Sequence, residues 1–463
     1  FVYSFQINFL MAQCGALLTA GILRGPLKGA PPYARHAICL VLGLFTGYFC
    51  FGKKAIHLAL LPVICFFLMK TAPERVMANS VLGVAIAYLS CIHLHRQFYL
   101  EESTNLDITG PLMIITQRVT SVAFWVHDGR EKCGHEALPK LPTPLEFFSY
   151  SLAFQTLLCG PALTYVLYKD FIYNKASEAQ VGDITNKLQH SHYIKRAVWG
   201  KLLGAAGCCC LISAEPPSEW SSMYLLWFCY LATLAVRCKY YLAWLLADAV
   251  CNNAGIGYRA PAKWDQVSNV DIMGFEVRIW NPGTGQWLRL SVYTRVKSAK
   301  LLKTYALSAI WHGFYPGYYL TFATGALFTL AARKVRKFAQ PFAWSTGKVY
   351  NALAFTLTRV FMTYATVPFV LLDLAPMTAF RWALSSFPPR PTLPDISPTG
   401  TPITPVTTTP TTPTVTTTPI IPTTSPATTP MEKSKPHENI SLKSILIVYS
   451  LHHVTTSTYF ILF

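Results

Sequence analysis

Long apolar runs, separated by short charged loops, recur along most of the chain, and no other feature limits its fold so strongly. A helix needs about 20 apolar residues to span a bilayer. Runs of this kind fall at 7–23, 36–52, 55–70, 76–92, 109–126, 145–172, 197–213 and 221–250. After a polar gap come 304–331, 349–373 and 442–463. Only 13% of the 463 residues are charged, against about 25% in soluble domains. The pattern predicts an all-α fold, a polytopic membrane helical bundle of about 10–11 segments. Several runs are short or interrupted, as at Gly160 and Pro161. Broken helices at membrane depth are tolerated only where protein or a water-filled cavity buries them. Broken or re-entrant helices around an internal cavity are therefore expected. The chain opens on Phe1, and no cleavable signal peptide is expected in it.

The formal net charge is +18. In a membrane protein an excess of Lys and Arg marks cytosolic loops that face anionic lipid. A phosphate-rich ligand is a further use for the same charge. Nucleic acid is not expected as a partner, because no basic stripe sits on a soluble domain. Nearly all of the 13 cysteines lie in apolar runs, among them the adjacent Cys208, Cys209 and Cys210. No pair has zinc-finger spacing, so neither a disulfide framework nor a metal site is indicated. They read as small apolar core residues.

The basic loops predict a topology. The 173–201 loop carries Lys175, Lys187, Lys195, Arg196 and Lys201. The 259–303 loop carries Arg259, Lys263, Arg278, Arg289, Arg295, Lys297, Lys300 and Lys303, and the 332–348 loop carries Arg333, Lys334, Arg336, Lys337 and Lys348. All three should be cytosolic. The 304–331 run must then leave and return on one side, and its turn falls in "HGFYPG", residues 312–317. The first arm, about eight residues, spans only about 12 Å. His312 is thereby expected at a turn deep in the membrane.

Residues 388–430 differ in kind: 17 of the 43 are Thr and 13 are Pro. Such a segment cannot bury a core, and in the lumen it reads as a mucin-like stalk. The topology puts it there, with the Asn439-Ile-Ser441 sequon on the same side. The expected organisation is a membrane core over 1–385, a Thr/Pro-rich disordered lumenal segment over 386–440 and a C-terminal membrane segment over 441–463.

Ionisable residues inside a membrane default to functional hypotheses. One reading of His312 is structural, a ring bonded to a backbone carbonyl that the Pro316 turn frees. The other is a general base, since a neutral imidazole accepts protons near neutral pH. Asn281, in "RIWNPGTGQW", has two readings as well. It could donate to a developing oxyanion or orient a carbonyl, or it could be turn chemistry, which Asn-Pro and Pro-Gly favour. In "KYYLAWLLADAVCNNAGIGY", Lys239, Tyr240, Asp248, Asn252 and Asn253 put polar groups on one apolar helix. Asp248 and Asn252 are four apart and share a face. They either hydrogen-bond between helices or line a cavity. Gln117 and Arg118 similarly interrupt the apolar run at 109–126.

Five stretches, in order, carry a family resemblance: "GPLMIITQRVTSVAFWVHDG", "YSLAFQTLLCGPALTYVLYKDFI", "KYYLAWLLADAVCNNAGIGY", "WNPGTGQWLRL" and "LSAIWHGFYPGYYLTF". They resemble the membrane-bound O-acyltransferase family over about residues 1–385. Within it they are most similar to lysophospholipid acyltransferases that use ethanolamine or serine headgroups. The resemblance implies helices around an internal tunnel, in a multi-pass protein of the endoplasmic reticulum membrane. It implies acyl-CoA as cosubstrate with no permanently bound cofactor, and a lysophospholipid as acceptor. Membrane lipids and a homodimer are the other associations considered. It makes His312 the base that activates the acceptor hydroxyl, with Asn281 holding the thioester carbonyl or a reactant in line. Arg289, Arg295 and Lys297 become candidates for the CoA phosphates, through charge-assisted hydrogen bonds. Lys239, Tyr240, Asp248, Asn252, Asn253, Tyr315 and Tyr318 become candidates for substrate binding. Two departures stand out: the stretch between Asp271 and Trp280 is short, and Pro282 follows Asn281 where the family pattern has an apolar residue.

An acyltransferase for a peptide or protein hydroxyl is the alternative within that family. A polytopic transporter, which also has broken helices and a polar cavity, is the alternative from another class.

Overall fold

A computed structural model describes residues 4–99, 107–130, 137–160, 162–174, 222–256, 258–259, 263–264, 281–339 and 348–373, with 199–200, 203 and 206. The 388–430 segment, Asn439, the 442–463 run and the expected boundary at 385 lie outside these residues. So do Cys208, Cys209, Cys210, the 271–280 stretch, and most of the 173–201 loop and of the 197–213 run.

The described residues form a helical bundle. Its helices are α1 (Ser4–Arg24), α2 (Pro32–Phe51), α3 (Ile56–Thr71), α4 (Glu74–Tyr99), α5 (Thr109–Arg130), α6 (Pro144–Ser151) and α7 (Tyr165–Ile172). They continue with α8 (Ser222–Ala254), α9 (Pro282–Leu288), α10 (Lys300–His312), α11 (Pro316–Ala339) and α12 (Lys348–Leu371). Among the described residues the β-structure is one short antiparallel ribbon, β1 (Tyr258–Arg259) with β2 (Lys263–Trp264).

Among the described residues four stretches are long and apolar enough to cross a bilayer: Ile7–Arg24, Pro32–Thr71, Glu74–Tyr99 and Ala352–Leu371. The second joins α2 and α3 through the 3-10 turn Gly52–Ala55. Proline and glycine punctuate these stretches. Pro32 occupies the first turn of α2, where a missing N–H is harmless. Pro73 precedes α4 and Glu74 opens it, favourably placed at the positive end of the helix dipole.

α5 is the centre of the bundle. Every residue from 108 to 126 is buried, and α5 packs on α3, α4, α6, α9 and the turn that follows α9. A helix surrounded by protein can carry polar side chains at membrane depth if its neighbours satisfy them. Arg118 shows how. Its guanidinium donates to the carbonyls of Tyr150 at 3.3 Å and Ser151 at 2.9 Å, and to Thr156 Oγ1. These groups lie where the 145–172 run breaks, between α6, the 3-10 turn Phe154–Thr156 and α7. Tyr150 Oη, donating to Leu163 O at 2.6 Å, closes the same break. The break expected near Gly160 is thus a longer irregular stretch, and a buried arginine fork supplies the donors that its backbone needs.

Two expected loops are in part helical among the described residues. Arg333, Lys334, Arg336 and Lys337 sit exposed on the last turns of α11, which runs to Ala339. No Gly or Pro interrupts residues 326–339, and Ala, Lys and Arg are strong helix formers. Within the 259–303 loop, α9 and a π-helical turn (Arg289–Tyr293) are formed, and α10 begins at Lys300. Of the described cysteines, Cys39, Cys65, Cys159, Cys238 and Cys251 are buried in the core.

Candidate active site

α10 and α11 pack on each other across a three-residue turn, 313–315, so the expected hairpin is present. Its arms are unequal. α10 has 13 residues and is about 20 Å long, whereas α11, with 24, is about 36 Å long. α10 stops after His312 because Gly313 takes φ +120°, a region that L side chains avoid. Pro316 then starts α11 with its fixed φ and no donor to lose.

This break leaves helix-end carbonyls without intrahelical donors. Gly313 N–H is shared between Ala309 O at 3.2 Å and Ile310 O at 3.1 Å. Trp311 O is reached from outside: His93 of α4 stands with Nε2 3.2 Å away. A second histidine, from another helix, thus bonds a carbonyl at this break.

His312 itself is 6% exposed. Its ring stacks on Phe322 with centroids 5.0 Å apart, meets Phe369 of α12 edge-on at 5.3 Å and lies 5.7 Å from Tyr318. Trp311, its chain neighbour, stands edge-on 4.7 Å away. Tyr318, Phe369 and Leu372 form a small buried cluster against which Tyr315 and Phe322 pack. The imidazole thus sits in an aromatic cage at the hairpin tip, fed by α10, α11 and α12.

Asn281 is the N-cap of α9 and is buried. Its φ is +53°, the left-handed region that Asn tolerates better than most residues. Oδ1 accepts the Thr284 N–H at 3.1 Å. Pro282 occupies the first helical position, so the family departure noted there suits a helix start. The turn-chemistry reading of Asn281 and a role for its amide are compatible. The cap uses the carbonyl oxygen and not the Nδ2 donors.

α5 ties the two candidates together. Gln117 Nε2 donates to Thr284 Oγ1 at 2.8 Å, and Trp287 Nε1 donates to Thr120 Oγ1 at 2.9 Å. Trp311 Nε1 donates to Met113 O at 3.2 Å. The Trp287 and Trp311 rings lie 5.5 Å apart. One central helix therefore holds both the Asn281 cap and the segment that ends in His312.

The basic candidates divide. Arg289 and Lys297 are exposed. Arg295 forks onto Asp128 at the end of α5, at 3.0 and 2.7 Å, donates to Leu290 O at 2.6 Å and lies over the Phe124 ring. Its charge is engaged in fastening the turn after α9 to α5. Two polar residues of α8 bond to backbone carbonyls. Asn253 Nδ2 donates to Leu17 O of α1 at 2.8 Å, and Asn252 Nδ2 closes its own helix end on Ile256 O at 3.2 Å. Asp248 is fully buried, Tyr240 packs near Trp244, and Lys239 is partly exposed.

His93, Thr284, Phe322 and Phe369 were not singled out in the sequence. His93 carries a usable signal: it is an ionisable residue directly after the apolar run 76–92, and α4 continues past it to Tyr99. The aromatic pair has no local signature, because Phe369 arrives from another helix.

Residues 45–372, which contain both Asn281 and His312, match the membrane-bound O-acyltransferase family. The chain is 41% identical over 413 residues to "Lysophospholipid acyltransferase 6" of Drosophila melanogaster, covering 79% of this chain and 57% of that protein. It thus spans little more than half the length of that relative. It is 35% identical over 420 residues to "Membrane-bound glycerophospholipid O-acyltransferase 2" of Rattus norvegicus, with 81% of each chain covered. It is 30% identical over 421 residues to "Lysophospholipid acyltransferase" of Schizosaccharomyces pombe, covering 81% of this chain and 82% of that protein. An apolar helical bundle with a buried histidine at a broken hairpin, matched over most of its length, belongs to the membrane-bound O-acyltransferase family.

Proposed function

We propose that this chain transfers a fatty acyl group from acyl-CoA to the free hydroxyl of a lysophospholipid, preferably one with an ethanolamine or serine headgroup. The enzyme works in the endoplasmic reticulum membrane. The observation that carries this reading is the caged His312 at the tip of a broken helix, inside the family-matched region. The names of the relatives supply the substrate class.

A glycerol hydroxyl is a weak nucleophile until a base takes its proton. His312 accepts that proton as the oxygen attacks the thioester carbonyl carbon. The carbonyl π electrons move onto its oxygen, and Asn281 Nδ2 donates to the charge that develops there. Collapse breaks the C–S bond, the CoA thiolate takes the proton from His312, and the ester is released. No acyl-enzyme is formed. The rings around His312 exclude water that would otherwise compete with the acceptor for the thioester. Arg289 and Lys297 meet CoA phosphates, while Arg295 holds their turn in place.

The test is acyl-CoA-dependent incorporation of label into lipid by the purified protein. His312→Ala should lower kcat by about 10²-fold or more, with the folded state retained. Turnover within a few-fold of the wild type would refute the assignment. Lipid products absent with every lysophospholipid, but labelled peptide formed, would favour the protein-acylating alternative.

A further inference from the structure

We propose that His93 of α4 is a positioning residue for the catalytic turn, setting the place of His312 through the Trp311 carbonyl. This inference rests on His312 being the base.

A carbonyl oxygen only accepts, so the 3.2 Å contact with Trp311 O requires the proton on His93 Nε2. The bond spans 218 residues of sequence and is buried. It is made at the peptide that joins Trp311 to His312, one bond away from the backbone of the proposed base. Alternative donors for this carbonyl are scarce by construction. The donors that a continuing helix would bring to it, the N–H groups of Phe314 and Tyr315, lie in the turn beyond the Gly313 break. A buried carbonyl left unmade is costly, so without His93 the end of α10 would rewind or tilt to find a partner. Either motion carries His312 with it.

The contact is also shaped on its far side. His93 Nδ1 lies 3.3 Å from the point where a side chain on Gly313 would begin. The turn therefore fits against the imidazole as well as bonding to it. α10 and α4 pack together, so the ring is held by α4, a 26-residue helix that also packs on α3 and α5. A rigid neighbouring helix thus provides the reference from which a broken helix tip is placed. Sub-ångström placement matters here, because a 1 Å error at a reacting group costs about 10²-fold in rate.

The test compares His93→Leu with His93→Gln, which returns an N–H donor near the position of Nε2. Each is measured for kcat, for KM with acyl-CoA and with lysophospholipid, and for monodispersity and Tm in detergent. His312→Ala and the double variant are run beside them. His93→Leu should lower kcat by about 10- to 100-fold, with both KM values within about two-fold. His93→Gln should recover most of that loss. The double variant should be no slower than His312→Ala alone, since both act on one group. Wild-type kcat in His93→Leu overturns the positioning role while leaving the base assignment intact. A folded His93→Gln as slow as His93→Leu also overturns it, because the donor has then been restored without effect. If His93→Leu fails to fold, the folded His93→Gln decides by itself: a kcat within about three-fold of wild type supports the role and a 10-fold loss refutes it. An active His312→Ala would instead sink the base reading, whatever His93 does.

Discussion

Gly317→Ala sets two well-known effects against each other at the foot of the site. Gly317 is the second residue of α11, and its N–H donates to Leu372 O at 2.8 Å, so α12 ends directly against the hairpin. In an unpacked helix the change would stabilise by about 1 kcal/mol, since Ala is the better helix former. Here the new Cβ would overlap the Pro368 carbonyl oxygen and stand 2.9 Å from Leu372 Cα and 3.0 Å from Leu372 O. All three obstacles are backbone atoms, which cannot rotate away. Carbon contacts are comfortable from about 3.5 Å, so α12 must retreat by roughly 1 Å. Overpacking of this kind costs about 1–3 kcal/mol, and rigid obstacles place it toward the upper end, leaving a net loss of about 1–2 kcal/mol. The retreat also withdraws Phe369, which closes the cage on His312 and lies 4.6 Å from Tyr318. Activity should fall by about 10- to 100-fold for a displacement near 1 Å. The measurements are Tm in detergent and lysophospholipid acylation on the same preparation. A raised Tm with unchanged turnover would mean that helix propensity won, and that the close approach of α11 and α12 does not hold the cage.

Asn281→Asp keeps the N-cap acceptor for Thr284, as Asp caps about as well as Asn, but removes the amide donor. Tm should stay within a few degrees while kcat drops by about 10²-fold or more; equal activity would reduce Asn281 to a cap. Removing charge at Arg289 and Lys297 should raise KM for acyl-CoA more than KM for lysophospholipid, and equal effects on both would make these residues topological. The hairpin with basic residues at both ends implies that the 388–430 segment lies in the lumen, so in sealed microsomes it should resist added protease and carry glycosidase-sensitive mass. Digestion with the membrane intact would refute that topology.

Much of this architecture was legible in the residue pattern because bilayer and backbone impose long-range rules on local sequence. Apolar runs announce helices, and α1 to α4 lie close to where the runs fall. The glycines and prolines of "HGFYPG" announce a break, and the hairpin turns within it. Thr143 and Glu146 form a reciprocal capping box at the start of α6, a local signal with spacing alone as its cause. The Asn-Pro pair at 281–282 reads as a turn in the sequence, and the structure makes it a helix start.

What the sequence by itself determined, then, was the class of fold and the broken hairpin, with His312 and Asn281 as the candidates for the chemistry. The tertiary structure decided their surroundings. Only packing could show that α5 is enclosed on all sides, so that Arg118 serves a broken backbone and Gln117 braces Thr284. Only packing could commit Arg295 to Asp128, bring Phe369 onto His312 from α12, and set His93 beneath the turn from a helix 218 residues away. The physical reason is that membrane-depth hydrophobicity and helix breaking act along the chain. The partner of a buried polar group is chosen across it, by whichever helix arrives with a donor where a carbonyl has been left bare.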